Sequence, residues 1–148
     1  MRHIGLSTHT PELAGRILDS GIVEQMMFSI NPAYDYQHGE YAAGSAGERM
    51  DLYRRCEAEG IGLSVMKPYS GGQLLDDRTS PFGRALTKIQ CLQYALDKPG
   101  VLTVLPGVRN LDEMKEALSW LEASPKERVL FRAGHIYAQR CDRDLRIL

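Results

Sequence analysis

Short apolar runs alternate with longer amphipathic stretches along most of the chain. The first run, His3 to Ser7, leads into Thr10-Pro11-Glu12. There Thr10 suits a helix cap, Pro11 the first helical position, and Glu12 the positive end of the helix dipole. That helix is expected to end near Gly21. A second run, Glu24 to Ile30, is broken at Asn31-Pro32, because the residue before a proline leaves the helical region. A polar loop from Tyr34 to Gly44 precedes a helix predicted from about Ala46 to Glu59, with Met50, Leu52, Tyr53 and Cys56 on one face and Gly60 as its stop. The third run is Gly62 to Met66, followed by a loop through Gly72 and a helix from roughly Gly83 to Asp97. Val101 to Leu105, rich in β-branched residues, reads as a buried strand. Asn110 and Glu113 then form a capping pattern for a helix whose buried stripe is Met114, Ala117, Leu118 and Leu121. Ser124-Pro125-Lys126-Glu127 repeats that pattern for a last helix.

Four such units in a row predict an α/β fold with parallel strands and helical crossovers. A closed barrel of eight units takes about 250 residues, and the sequence has 148. The pattern therefore fits either a small open sheet or half of a barrel. Residues 1–128 read as one domain, and 129–148 as a divergent helical tail.

Composition narrows the function. Hydrophobic residues make up 43% and charged residues 25%, as in a globular protein with a core. The 18 basic and 19 acidic residues give a net charge of −1 without a basic block, which argues against nucleic acid or an anionic membrane as partner. No apolar run approaches the roughly 20 residues of a membrane span. Residues Met1 to Thr10 lack the layout of a secretory signal. Cys56, Cys91 and Cys141 are odd in number and far apart, which points to a reducing cytoplasm rather than a disulfide framework. Cys56 and Cys91 lie in amphipathic stretches and are expected to be buried as small apolar residues.

In a parallel sheet, ligands gather at the carboxyl ends of the strands, so the strand-to-helix loops carry the candidate chemistry. In Gly5-Leu6-Ser7-Thr8-His9, the hydroxyls of Ser7 and Thr8 can hold a polar ligand group or cap the next helix. In Val65-Met66-Lys67-Pro68-Tyr69-Ser70-Gly71-Gly72, the glycines let backbone N–H groups approach phosphate oxygens and Lys67 adds positive charge. The bland alternative is a glycine-rich turn with an exposed lysine. In Leu105-Pro106-Gly107-Val108-Arg109-Asn110-Leu111-Asp112-Glu113, a helix start offers free N–H groups to an anion, and Arg109 is a natural phosphate partner.

Taken in order, these segments resemble the aldo/keto reductase family over about Met1 to Arg128. The Val65-Met66-Lys67-Pro68 and Leu105-to-Asn110 segments resemble a bacterial branch whose members often end in a cysteine-rich, ferredoxin-like tail. The resemblance implies the C-terminal half of a (β/α)8 TIM barrel, NAD(P)H-dependent carbonyl reduction, and a cofactor, NADP or NAD, spread over the loops. Ser7 and Thr8 would meet the nicotinamide carboxamide, Thr8 standing where the family has Asn. Asn31 would substitute for a strand-end Gln whose aligned position holds Met27. Met66 or Lys67 falls near the family's aromatic platform for nicotinamide, with Tyr69 close by, while Pro68, Gly71 and Gly72 would follow the pyrophosphate. Pro106, Gly107, Arg109, Asn110 and Glu113 would surround the adenosine end. Glu113 stands where NADP-specific members place Arg, Gly107 where some place Lys, and Ala117 where many place Asn, so NAD and NADP both stay open.

The family's catalytic Tyr, Lys, Asp and His belong to the first four units, so the resemblance assigns no catalytic residue here. His3, His9, His38 and His135 are expected to face solvent or cap, and Tyr34, Tyr36 and Tyr41 to pack within their loop or line a pocket wall. Cys141 alone in the tail excludes an iron–sulfur cluster in this chain; Arg132, Arg140, Arg143 and Arg146 with Asp142 and Asp144 read as a solvated helix face. Three expectations follow. The chain binds a nicotinamide dinucleotide weakly and is catalytically incomplete; or it works with a separately encoded N-terminal half; or it is an interaction domain in which Gly71, Gly72 and Arg109 serve only turns and surface. By itself the half-barrel is expected either to form a homodimer that rebuilds a closed sheet or to be a poorly stable fragment.

Overall fold

The computed structural model describes residues 2–39 and 41–130. Strands β1 (Gly5–Thr8), β2 (Gln25–Ser29), β3 (Gly62–Met66) and β4 (Val101–Val104) form one parallel sheet in the order β1-β2-β3-β4. Helices α1 (Pro11–Asp19), α2 (Pro32–Asp35), α3 (Ala46–Ala58) and α4 (Lys88–Leu96) lie between successive strands, and α5 (Leu111–Leu118) and α6 (Pro125–Arg128) follow the last. The alternation read from the apolar runs is thus the architecture of the chain. The tail beyond residue 130, with His135, Cys141 and its arginines, lies outside the described residues.

Register explains how the sheet is covered. Leu6, Met26, Leu63 and Val101 align across the strands, as do Thr8, Phe28, Val65 and Val104. These point to one face, where Met26, Phe28, Leu63 and Val65 pack against Ala14 and Leu18 of α1, Leu52, Tyr53 and Cys56 of α3, and Ala95 of α4. A sequential strand order with crossovers of one hand places every helix on the same side. The intervening positions point the other way, and Gly5, Ser7, Gln25, Leu102 and Thr103 are exposed there. Gln25 Nε2 donates to Ser64 Oγ at 2.6 Å across that face. At Leu102, 74% exposed, β4 carries an extra residue, and the side chain folds over Gly62.

A second apolar cluster joins Ala33, Tyr34, Tyr69, Leu74, Phe82, Leu86, Cys91 and Leu92 beyond the carboxyl ends of the strands. Tyr34, expected in a polar loop, is only 4% exposed because Asn31 caps α2 and turns that segment inward. Between the clusters lies a buried polar knot. Arg49 donates to Asp35 Oδ1 and to the Ser29 carbonyl, while the hydroxyls of Tyr53 and Tyr94 donate to Asp35 at 2.7 and 2.8 Å.

Four expectations are corrected. The run Val101 to Leu105, expected to be a buried strand, forms β4 with Val101 and Val104 half-buried and Leu102 and Thr103 exposed, because helices cover only one face of the sheet there. The fourth helix begins at Lys88 rather than Gly83, because Thr87 and Gln90 form a capping box that fixes its start. Thr10 makes no side-chain cap on α1. Of the expected stripe only Ala117 is buried; Met114 and Leu118 of α5, and Leu121 in the turn after it, are 38%, 53% and 66% exposed. Helix α5 packs on α4, and no strand follows β4 in the sheet among the described residues.

Candidate functional site

A cleft of about 720 Å³ opens at the carboxyl ends of β3 and β4. One wall is Lys67, Pro68, Tyr69, Gly71 and Gly72; the other is Leu105, Gly107, Val108, Arg109 and Glu113, with Leu75 and Lys88 alongside. Two segments far apart in sequence meet here because β3 and β4 are neighbouring parallel strands whose following loops emerge on the same end.

The first wall is built from backbone in an unusual conformation. Lys67, Ser70, Gly71 and Gly72 have φ of 55°, 52°, 68° and 95°. Glycine adopts such angles freely, whereas lysine and serine do so only when their surroundings hold them. The Lys67 carbonyl accepts from Asn31 Nδ2 at 2.8 Å and from Ser70 N at 3.0 Å. Gly72 N and Leu74 N both donate to the Tyr69 carbonyl. A Cβ built on Gly71 or Gly72 meets nothing within 4 Å, so the outer surface of this turn is open to close approach. Tyr69 is 5% exposed and its hydroxyl has no partner among the described residues; burial, then Cys91 and Glu116 nearby, pushes the phenol up. The Lys67 ammonium lies 3.2 Å from the Tyr41 ring centroid, and Tyr41 also stacks on His9 at 4.6 Å.

The second wall is the capped start of α5. Asn110 Oδ1 accepts from Glu113 N at 2.9 Å. Glu113 folds back to accept Arg109 N at 2.7 Å and the Arg109 guanidinium at 2.6 and 2.9 Å. Those bonds, the guanidinium first, hold the Glu113 carboxyl below its ordinary value. A carboxylate of the chain itself thus lies beside the start of α5, bonded to the residue before its cap. Lys88, the first residue of α4, is paired with Glu116.

Of the residues picked from sequence, Lys67, Pro68, Tyr69, Gly71, Gly72, Gly107, Arg109 and Glu113 come together in this cleft. Met66 and Pro106 are half-buried at the strand ends, and Asn110 caps α5 beside it. Ser7 is exposed on β1, and Thr8, 7% exposed, accepts from Thr10 N at 3.2 Å. Asn31 is fully buried with both ends of its amide in use, since its Oδ1 accepts from Tyr34 N at 2.9 Å. These three do not line the cleft. Leu75, Lys88, Leu105 and Val108 were missed; a lysine opening the helix after a glycine-rich loop was the signal for Lys88.

Other candidate chemistry is quiet. His3 meets Glu24 at 2.6 Å on the surface, and His38 packs edge-on against Phe82. His9, expected to face solvent or cap, is instead half-buried against Tyr41, with Nδ1 buried and without a partner among the described residues, and burial, Lys67 and Arg49 lower its pKa. Burial pushes the Cys56 and Cys91 thiols to about 11 and about 12, which suits inert core residues. Among the described residues no cluster of His, Cys, Asp or Glu is arranged to hold a metal, and no helix is long and apolar enough to cross a membrane. No protein-family model matches the chain, and no curated protein matches it in sequence.

Proposed function

We propose that the cleft binds a nicotinamide dinucleotide, and that the chain is the cofactor-holding half of an aldo/keto reductase-like barrel. The observation that carries this reading is the convergence of the Lys67–Gly72 turn and the Arg109–Glu113 helix start on one cleft. The residues present fit the two ends of such a molecule differently. The open backbone surface at Gly71 and Gly72, flanked by Lys67 and Lys88, suits a pyrophosphate. Glu113 at the α5 start suits a ribose 2′-hydroxyl, which can donate to a carboxylate, better than a 2′-phosphate, which it repels. NADH is therefore the favoured form, and NADPH the family's usual one.

When bound, the dinucleotide supplies a hydride for carbonyl reduction. This chain contributes binding and orientation. The resemblance assigns it no proton donor for the carbonyl oxygen, so reduction needs groups from a complementary half. The exposed sheet face around Leu102 and the stripe Leu111, Leu118 and Leu121 favour that view, because both would be sealed by further strands and helices. A separate N-terminal half restores an active enzyme in this reading; a homodimer closes the sheet without the catalytic groups. The setting is cytoplasmic.

The test is titration of the purified chain with NADH and NADPH, following nicotinamide fluorescence. Saturable binding, tighter for NADH, is the expected result. A folded chain that binds neither moves the interaction-domain reading to first place.

A further inference from the structure

We infer that Asn31 is a positioning residue for the cleft: it fixes the phosphate-facing turn through Lys67 rather than by touching a ligand. This rests on the cleft's being a dinucleotide site and deepens that reading.

The turn begins with a lysine at φ 55° and continues through Ser70 at 52°. Neither residue favours the left-handed region, so something outside the turn must hold it there. Among the described residues Asn31 is the one side chain that donates to the Lys67 carbonyl, at 2.8 Å, and it does so from a site with no exposure. Its own geometry is set from the other end of the amide, where Oδ1 accepts from Tyr34 N. The segment around it is clamped on both sides, since Arg49 donates to the Ser29 carbonyl before it and to the Asp35 carboxylate after it. Rigidity thus runs from the interior of the helix layer, through Asn31, to the carbonyl from which the turn starts. With the Lys67 carbonyl fixed, Ser70 N closes on it at 3.0 Å, and the left-handed Gly71 and Gly72 are set to present their open surface to the cleft.

The argument separates the two ends of the amide. Asn31→Ser keeps a good capping oxygen for Tyr34 N but is too short to reach Lys67. Asn31→Asp keeps the shape and the cap but sets an acceptor against the Lys67 carbonyl. Lys67→Gly removes the need for support, because glycine takes this φ unaided. In ligand-free protein, Asn31→Ser should raise amide exchange at Ser70 and Gly72 roughly tenfold, leaving Leu63 in β3 unchanged. It should also weaken NADH binding roughly tenfold with Lys67 present, and less than about twofold when combined with Lys67→Gly. Asn31→Asp should act in the same direction and decides the matter if the serine variant does not fold. Unchanged exchange at Ser70 and Gly72, or equal loss of NADH affinity in both backgrounds, overturns the positioning role. If the unmodified chain binds neither NADH nor NADPH, the functional reading fails, while the exchange data still decide whether Asn31 fixes the turn.

Discussion

Arg49 Nε donates to Asp35 Oδ1 at 2.7 Å where the Arg49 side chain has no solvent exposure and that of Asp35 has 8%. The pair joins α3 to α2, and Tyr53 and Tyr94 bring α3 and α4 onto the same carboxylate. Arg49 further donates to the Ser29 carbonyl and lies 5.0 Å from the centre of the Phe28 ring. Every strong donor and acceptor in the knot is therefore answered, which is what allows charge to stay in an apolar interior.

Removing one member should cost far more than the pair contributes. Asp35→Asn leaves a buried guanidinium without its counter-charge, and Arg49→Leu leaves the carboxylate alone. Each is expected to destabilise the fold by about 3–5 kcal/mol, read as a shift of the urea unfolding midpoint. Arg49→Lys should not rescue, because an ammonium cannot reach the carboxylate and the Ser29 carbonyl at once. A loss below about 1 kcal/mol for either single variant would mean the knot is wetter than its burial indicates.

How legible was this chain in its sequence? The apolar runs at Gly62–Met66 and Val101–Val104 announced their strands because each is short and apolar between turn residues, although only the first is buried along its middle and Leu102 and Thr103 of the second are exposed. Asn110 announced the start of α5 because capping is a local transaction between residues three apart. The meeting of Lys67 and Arg109 in one cleft followed from strand order. The polar knot was invisible, since nothing near Asp35 or Arg49 in sequence marks either as buried; their partners come from four separate segments. Asn31 was singled out for its amide, but its burial reverses the role, from touching a ligand to holding Lys67. The exposed stripe on α5 and the turn after it shows the converse failure: Met114, Leu118 and Leu121 have core periodicity, and the surface they would cover is absent among the described residues.

Glu113 gives a test of cofactor choice that leaves the rest of the cleft in place. Its carboxylate holds Arg109 and faces the space where an adenosine ribose is proposed to sit. Glu113→Gln removes the negative charge, keeps hydrogen bonding, and frees the Arg109 guanidinium. The NADPH-to-NADH affinity ratio should rise by about tenfold, the scale of one charge-assisted contact. Fluorescence titration of both cofactors reads the ratio directly. A ratio that does not move would remove Glu113 from the site.

The open sheet face predicts association. Among the described residues β1 and β4 each have an unpaired edge, and Leu102, Leu111, Leu118 and Leu121 are all more than half exposed. The isolated chain, 16.6 kDa as a monomer, should run larger in size-exclusion chromatography with light scattering and should bind an apolar dye. Leu102→Lys combined with Leu118→Glu should reduce both signals. A monodisperse monomer that binds no dye would sink the half-barrel reading.

His9 supplies a pH dependence whose sign is fixed by its surroundings. Burial is the largest influence on the ring, followed by the positive charges of Lys67 and Arg49, and all three disfavour its protonated form. Its folded pKa therefore lies below the value of about 6.5 expected for the unfolded chain. Between those two values the unfolded chain binds the proton and the folded one does not, so stability is complete above the unfolded value and is lost as pH falls through the interval. Carboxylates held low by their partners, Glu48 and Glu113 among them, lose their contribution only at more acidic pH, around and below about 4. The two windows are thus separable. Melting temperatures taken between about pH 7.5 and 5 should fall for the unmodified chain and fall less for His9→Gln, which keeps a polar neutral side chain in the same place. Parallel curves for the two proteins would place the titrating group elsewhere. A steeper fall for the variant would mean that His9 gains a partner on protonation, against the repulsion that Lys67 and Arg49 exert on it.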